Sequence, residues 1–348
     1  MKTVVVHKDG SLEVREVPKP KCGPREAVVK TLACGLCGTD TKLMHRCFKG
    51  VPLSTYPLML GHEGVGEVVE IGEEVEKYKL GDRVLIPYIN PPDPVLYGEL
   101  GTAWGGLSEY ALVCDHTAYN KHGEEPPNDF AYAQTVIPAD FDPIDSVILI
   151  TFREVMGAIN YFGVQPGHPI VVFGCGPVGL TFIKLLSLLG FTDIVAVDIV
   201  DDKLKTARNH GAKKTINSKT TDVTAAVRTD YPSGVPYVID AVGLPSVANT
   251  AMSIIVDRGK IFCYGVLEKE QITLDFSTAS YNWTYVAQQM PDKPQEGATQ
   301  GQIVEWIKAG KLVMKDFISD YFEFDNVIEA LQRYERGEIT KKGIIVYK

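Results

Sequence analysis

The sequence predicts an α/β chain of two domains, with a barrel-like β domain first and a doubly wound parallel sheet after it. The length of 348 residues exceeds what a single hydrophobic core usually serves. Up to about residue 110, short β-prone runs are separated by turn residues. From residue 151 onward, helical and strand patterns alternate, which is typical of a parallel sheet covered by helices.

Six apolar or alternating runs predict the strands of the first domain, to which we assign residues 1–150. Their spacing, with Gly and Pro between them, is typical of a compact β barrel. In order, the runs are TVVVH, LEVREV, EAVVKTLACG, GVGEVVEIG, GDRVLIPY and SEYALV.

The alternating pattern defines the second domain, to which we assign residues 151–285. Helices are predicted over 151–162, 177–189, 201–210, 221–229 and 246–255, and strands over 169–173, 193–197, 214–216, 236–240 and 259–264. Residues 286–348 have a mixed pattern. It predicts a Pro- and Gln-rich loop at 291–300, helices over 301–309 and 325–336, and a final strand, GIIVYK.

A glycine-rich segment, VVFGCGPVGL, joins the first strand of the second domain to the next helix. Gly174, Gly176 and Gly179 form the pattern GxGxxG in the strand–turn–helix context that dinucleotide binding requires. The first glycine allows a tight turn, the second a close approach to a pyrophosphate, and the third close packing of helix on strand. Phosphates would bind the free N–H groups at the helix start, which includes Pro177 and Val178.

Asp198 ends the next strand, DIVAVD, and favours NAD(H) over NADP(H). Its carboxylate can accept hydrogen bonds from the adenosine ribose, whereas it would repel a 2′-phosphate. Gly243 and Gly265 follow two later strands, in the segments DAVG and YGV. Because ligands of parallel sheets bind outside the carboxyl ends of the strands, both glycines belong to the predicted cofactor crevice.

Two short motifs in the first domain, CGLCGTD and GHEG, contain Cys37, His62 and Glu63. A thiolate, an imidazole and a carboxylate form the ligand set of a catalytic zinc ion, which keeps one position open. A buried thiol or a core histidine is common when either stands alone. Here all three residues lie beside glycine turns, so the sequence predicts that they bind one catalytic zinc ion.

Composition excludes several classes of function. The net charge of −9, with no basic cluster, disfavours nucleic-acid binding. The longest apolar stretch, near residues 177–191, is interrupted by Lys184 and falls short of a membrane span. The seven cysteines are odd in number and scattered, which indicates reduced thiols and a cytoplasmic location.

The whole pattern resembles the zinc-dependent medium-chain alcohol dehydrogenase family, in its polyol and sugar dehydrogenase branch. The resemblance covers the entire chain and rests on GLCGTD, GHEGVGEVVEIG, YKLGDRV and the dinucleotide motif. It implies a GroES-like β-barrel catalytic domain and a Rossmann domain, with residues 286–348 returning to the first domain. It also implies a homo-oligomer, either a dimer or a tetramer, because the family often pairs the edge strands of its Rossmann sheets.

The resemblance also implies roles for the residues around the metal. Cys37 and His62 would be zinc ligands, and Glu63 would be a ligand or a group that exchanges with water. Thr39 would hydrogen-bond the substrate hydroxyl and begin a proton relay. Asp40 would orient the ligating histidine, as carboxylates commonly do.

Three features depart from the family's pattern. Lys42 stands where a relay histidine is common, so we expect the last proton to pass to solvent or to the ribose. The usual position of the third zinc ligand falls on Ile150 or Thr151; we take the nearest carboxylate, Glu154, as that ligand because zinc needs a third protein group. The segment between GDRV and SEYALV contains no cysteine, so no structural zinc is expected, and Cys34 is interpreted as a structural thiol.

These residues predict a zinc-dependent NAD(H) dehydrogenase that reversibly oxidises a secondary alcohol of a polyol, sugar or sugar acid to the ketone. The arginines of the predicted pocket could hold a carboxylate, although arginines near loops are more often solvated or paired with Glu. Three alternatives stay open: a threonine- or butanediol-type zinc dehydrogenase, a zinc-free quinone or enone reductase of the same superfamily, and a non-enzymatic NAD-binding protein. The candidate pocket residues are Met44, His45, Arg46, Phe48, Tyr88, Tyr97, Trp104 and Arg153.

Overall fold

The computed structural model describes residues 1–89, 92–266 and 272–348. Over these residues the chain divides into two compact units. The first unit contains residues 1–150, 293–304 and 313–348, and the second contains residues 151–292 and 305–312. The fold class expected from the sequence is confirmed, since the first unit is rich in β structure and the second is a parallel α/β unit.

Within the described residues, the first unit contains two sheets. One sheet has the strand order β2-β1-β4-β7; the other has the order β15-β16-β3-β5-β6, with β8 also paired to β3. The strands are β1 (Lys2–Val6), β2 (Leu12–Glu16), β3 (Glu26–Gly35), β4 (Leu58–Met59), β5 (Glu63–Ile71), β6 (Arg83–Leu85), β7 (Gly101–Thr102), β8 (Tyr110–Cys114), β15 (Ile318–Glu323) and β16 (Lys342–Val346).

Strand β3 is central in the second of these sheets and carries the chain toward the predicted metal site. It pairs with β5 in antiparallel fashion, so that Gly35 lies opposite Glu63. Strands β8 and β16 pair with its other edge, at opposite ends. Because the run EAVVKTLACG is almost continuously apolar, most of its side chains are buried.

The helices of the first unit are short, and α1 begins directly after β3. They are α1 (Gly38–Met44), α2 (Pro94–Tyr97), α3 (His116–Lys121), α4 (Phe130–Ala133), α10 (Lys293–Ala298) and α12 (Val327–Glu335). The prediction of a loop at 291–300 is wrong for most of these residues, because they form helix α10. This helix packs against α4 and buries an ion pair between Lys293 and Glu296, whose charged atoms are 2.7 Å apart.

The second unit is a parallel sheet with the order β11-β10-β9-β12-β13-β14, which is the doubly wound order. Its strands are β9 (Ile170–Phe173), β10 (Ile194–Asp198), β11 (Lys214–Asn217), β12 (Val235–Asp240), β13 (Ile255–Cys263) and β14 (Trp283–Ala287). Its helices are α6 (Pro177–Leu188), α7 (Asp201–Asn209), α8 (Val223–Asp230) and α9 (Pro245–Ile254).

Two helices contain residues of both units: α5 (Ile148–Phe162) and α11 (Gln300–Lys308). Helix α5 begins three residues before the predicted start at 151, because a short 3-10 turn at Asp145–Val147 leads into it. Strand β14 was not among the predicted strands. In the described part of the chain, no helix combines the length and apolarity needed to cross a membrane.

Candidate functional site

Cys37, His62 and Glu63 come together in the first unit as a group able to bind a metal ion. Their ligand atoms all lie within 4.8 Å of one another. Cys37 is the N-cap of α1, while His62 and Glu63 stand at the start of β5. Gly61 precedes them with a φ of +95°, a conformation that glycine adopts without strain. The turn thus delivers the imidazole and the carboxylate to the thiol.

Asp40 lies next to Cys37 and His62 and positions both residues. One carboxylate oxygen accepts a hydrogen bond of 3.0 Å from the backbone N–H of Cys37. The other oxygen lies 3.8 Å from Nδ1 of His62, and both of these atoms are buried without a hydrogen-bond partner. Burial raises the pKa of Asp40, while the adjacent imidazole opposes that rise. Buried polar atoms without partners are costly, so this arrangement fits a histidine held ready for a ligand.

The metal-free imidazole is held in a strongly negative environment. Burial disfavours its charged form, but the Cys37 thiolate together with Asp40 and Glu63 outweighs burial and raises the pKa of His62 to about 10. An imidazole surrounded by Cys37, Asp40 and Glu63 lies in a group that favours a cation. Sulfur, nitrogen and oxygen donors in one group form a set that zinc accepts.

The predicted cofactor loop lies in the second unit, where β9 turns into α6. Gly174 has a φ of +90° and makes the tight turn. Gly176 is the N-cap of α6 and Pro177 is its first residue, so free N–H groups face outward at the helix start. A Cβ on Gly179 would overlap the carbonyl oxygen of Gly174, whereas a Cβ on Gly176 would meet nothing within 4 Å. Only Gly176 therefore leaves open space for a ligand.

Asp198, the last residue of β10, holds this loop in place through hydrogen bonds. Its carboxylate accepts hydrogen bonds from the backbone N–H groups of Cys175 at 2.6 Å and of Ile199 at 2.7 Å. Gly243 and Gly265 follow the neighbouring strands β12 and β13 and are in backbone contact, since a Cβ on either one would overlap the other residue. The structure thus places these glycines at the carboxyl ends of adjacent strands, as expected.

Comparison with known proteins identifies the family. Residues 23–122 match the alcohol dehydrogenase GroES-like domain, and residues 177–287 match the zinc-binding dehydrogenases. The (R,R)-butanediol dehydrogenase of Bacillus subtilis is 30% identical over 290 residues, which is 77% of this chain and 78% of that protein. The chain belongs to the zinc-type medium-chain alcohol dehydrogenase family. It is therefore an oxidoreductase that acts on CH–OH groups, and the resemblance seen in its motifs is confirmed.

Two further proteins are similar to this dehydrogenase over its full length. The sorbitol dehydrogenase of Bacillus subtilis is 24% identical over 365 residues, covering 100% of this chain and 97% of that one. The crystal structure of the RspB alcohol dehydrogenase from Escherichia coli CFT073, solved with NADH, superposes with a TM-score of 0.80. Its sequence identity is 21%, and the match covers 99% of each chain.

Other predicted residues of this dehydrogenase lie as follows. Thr39 is half-buried in the first turn of α1, two residues from Cys37. Glu154 lies in α5 and belongs to the second unit, so its role as a zinc ligand stays a prediction. Cys34 is fully buried, which raises the pKa of its thiol well above the usual value. All seven cysteines are free thiols.

Lys342, which sequence analysis missed, lies against the group formed by Cys37, His62 and Glu63. It is 2% exposed, and its Nζ donates to both carboxylate oxygens of Glu63, at 2.8 and 2.5 Å. Burial would lower the pKa of Lys342, but the charges of Glu63 and Cys37 outweigh burial and raise it. The only sequence signal is a lysine at the start of an apolar strand. Lys342 therefore neutralises Glu63 and fixes the orientation of its carboxylate.

Proposed function

We propose that this dehydrogenase catalyses the NAD(H)-dependent, reversible oxidation of a secondary alcohol of a small polyol or diol to the ketone. The observation that carries the proposal is the group formed by Cys37, His62 and Glu63, with Thr39 in the same helix turn as the thiol. Its relatives are named for butanediol and sorbitol, both of which contain secondary alcohols.

Cys37 and His62 would bind the zinc ion, and Glu63, oriented by Lys342, would be a ligand or would exchange with water. A zinc ion supplies Lewis acidity there, and NAD⁺ supplies the hydride acceptor. Thr39 orients the substrate hydroxyl and accepts its proton, which then passes to solvent or to the cofactor's ribose. Asp40, whose second carboxylate oxygen lies 3.8 Å from Nδ1, would favour the tautomer that carries its proton on Nδ1 and leaves Nε2 free to ligate.

The cofactor loop supports NAD(H) as the nucleotide. Gly176 and the first turn of α6 offer backbone N–H groups to the pyrophosphate. Asp198 would accept hydrogen bonds from the ribose and repel a 2′-phosphate.

The substrate class is narrowed by the two arginines that were candidates for holding a sugar acid. Arg153 is 0% exposed, so it offers no surface to a dissolved ligand. Arg46 is exposed, and its guanidinium lies against Gly10. Neither arrangement supports recognition of a carboxylate. We therefore propose an uncharged diol or polyol.

The zinc-free quinone or enone reductase has less support, because such enzymes lack the Cys and His that form the metal group here.

A single experiment tests both functions. The purified protein is assayed for NAD⁺ reduction with butane-2,3-diol, propane-1,2-diol and glucitol, before and after chelation and after zinc is restored. Activity that chelation does not affect, or no activity on any secondary alcohol, would contradict the proposal.

Two cysteine variants provide a matched comparison. Cys37→Ser removes a ligand, so we expect a loss of at least about 100-fold in kcat/KM. Cys47→Ser changes an exposed thiol outside the metal group and should leave activity unchanged. Equal effects of the two substitutions would indicate that the thiol ligand has no role.

Replacing NAD⁺ with NADP⁺ in the same assay tests the assignment of Asp198.

A further inference from the structure

Trp104 stands beside the metal ligand His62 with an unusual backbone conformation. The centroids of the indole and imidazole rings are 5.3 Å apart, and the rings are tilted by 56°. The φ of Trp104 is +69°, in the left-handed region that large side chains rarely occupy. Such conformations persist when the surroundings impose them, and they concentrate at functional sites.

The surroundings that impose this conformation are backbone contacts with the turn that carries the metal ligand. The N–H of Gly106 donates to the carbonyl of Gly61 at 2.7 Å, and the N–H of Leu107 donates to that of Leu60 at 2.9 Å. A Cβ on Gly61 would overlap the backbone of Leu107, so the two segments touch without side chains between them. The indole therefore has a fixed position relative to His62.

Phe48 and Phe130 lie next to the indole of Trp104. We call the three residues Phe48, Trp104 and Phe130 the aromatic wall. Their ring centroids are 6.1 Å and 6.0 Å from that of the indole. Phe48 is buried, while Trp104 and Phe130 are half-buried and keep exposed surface. Behind the wall, the ammonium of Lys293 lies 4.5 Å from the centre of the Phe130 ring.

We propose that Trp104 is a specificity-determining residue that selects small diols and secondary alcohols with an apolar substituent on the carbinol carbon. The inference rests on the proposed function and names its substrate class. A methyl group packs favourably against aromatic faces. An aromatic face offers a hydroxyl no strong hydrogen-bond partner, so a hydroxyl placed against it loses its hydration without compensation. Longer polyols, with a hydroxyl on every carbon, are therefore selected against.

The test compares kcat/KM for butane-2,3-diol and glucitol in wild type and three variants. Trp104→Gly removes the ring, and glycine adopts a φ of +69° without strain, so the backbone turn is kept. We expect the ratio of kcat/KM values, diol over glucitol, to fall at least about tenfold, the scale of a change in an apolar pocket. Trp104→Phe keeps an aromatic face and should retain most of the selectivity. Trp283→Phe is the matched control in the second unit.

A measurement without turnover tests the placement of the ring. Cobalt added to the metal-free protein quenches nearby tryptophan fluorescence, so quenching should be seen in wild type and Trp283→Phe and be lost in Trp104→Phe. A folded Trp104→Gly variant with an unchanged ratio would overturn the inference, as would full quenching in Trp104→Phe. If wild type oxidises neither alcohol, the proposed function fails and the inference with it; turnover with an unchanged ratio defeats the inference alone.

Discussion

Glu63 and Lys342 form an ion pair that is almost wholly withdrawn from water. Each residue is 2% exposed, and both carboxylate oxygens accept from the ammonium. A pair of this kind adds little net stability, but removing one partner leaves a buried charge without compensation. The pair therefore matters most for the orientation and charge of Glu63.

Replacing Lys342 tests this view. Lys342→Met removes the cation that hydrogen-bonds the buried Glu63 carboxylate and leaves that carboxylate with the His62 imidazole, 4.0 Å away. We therefore expect the free energy of unfolding of the metal-free protein to fall by up to about 3–5 kcal/mol in urea denaturation. The double variant Lys342→Met with Glu63→Gln buries no charge and should recover most of the loss. If the double variant is as unstable as the single one, the ion pair is not the cause.

The raised pKa of His62 predicts how zinc affinity depends on pH. With a pKa of about 10, the imidazole of the metal-free protein is protonated at pH 7–9, and a ligating histidine must be neutral. Each unit of pH increase lowers the competition from this one proton, so zinc affinity should rise by up to about tenfold per unit over this range. Competition with a chelator of known pH dependence measures the slope. A constant affinity would contradict the assignment.

At the scale of elements, the strand–helix turn from β9 to α6 contains two glycines with different tasks. Gly176 faces open space, whereas Gly179 touches the carbonyl of Gly174. We therefore expect the first to serve a ligand and the second to serve the fold. Substitution by alanine separates the two roles, because alanine adds only the Cβ.

We expect Gly176→Ala to change the free energy of unfolding by no more than about 1 kcal/mol, the usual scale at an N-cap. Its dissociation constant for NADH should rise about tenfold or more, because the added methyl occupies the place of the pyrophosphate. Gly179→Ala should lower the thermal midpoint, because its Cβ overlaps the loop. Thermal unfolding and NADH fluorescence titration measure both effects. The opposite pattern would refute the division of tasks.

Sequence patterns predicted the parallel sheet well, because strands such as β9 are buried on both faces and are continuous apolar runs. They failed at α10, whose sequence KPQEGA is typical of a loop. That helix is stabilised by the Lys293–Glu296 pair and by packing on α4, and the packing on α4 cannot be seen in a local pattern. Tertiary contact overrode local propensity there.

The residues of the metal site also differ in whether the sequence could predict them. Cys37, His62 and Glu63 lie in two short motifs, so their residue types and spacing predicted a common ligand set. Lys342 meets Glu63 across 279 residues of sequence, and Trp104 meets His62 only because the chain folds back on the glycine turn. Contacts of this kind are made by the fold and have no local signature.

At the scale of the whole molecule, an open edge of the second unit supports the expected oligomer. Among the residues that the structure describes, strand β14 is the last strand of its sheet, and unpaired edges are liable to pair with another chain. Tyr281 just before it is fully exposed, and Phe276 is 64% exposed. Exposed aromatic residues beside a free edge are typical of an interface.

Tyr281→Asp places a charge at this edge, so we expect it to weaken self-association and lower the mass measured by light scattering at micromolar concentration. Tyr161→Asp, at another exposed tyrosine of the same unit, is the control and should leave the mass unchanged. A wild-type mass equal to one chain would contradict the expected homo-oligomer.

The pairing of Glu63 with Lys342 also has a consequence for the order in which parts of the protein are synthesised. A ribosome makes the three ligand residues early, yet the lysine that neutralises the carboxylate follows 279 residues later, after the entire second unit has been synthesised. The nascent first unit cannot reach its final charge balance while it is still being extended. We therefore expect the charge balance of this group to be completed late, once the strand that carries Lys342 has been synthesised.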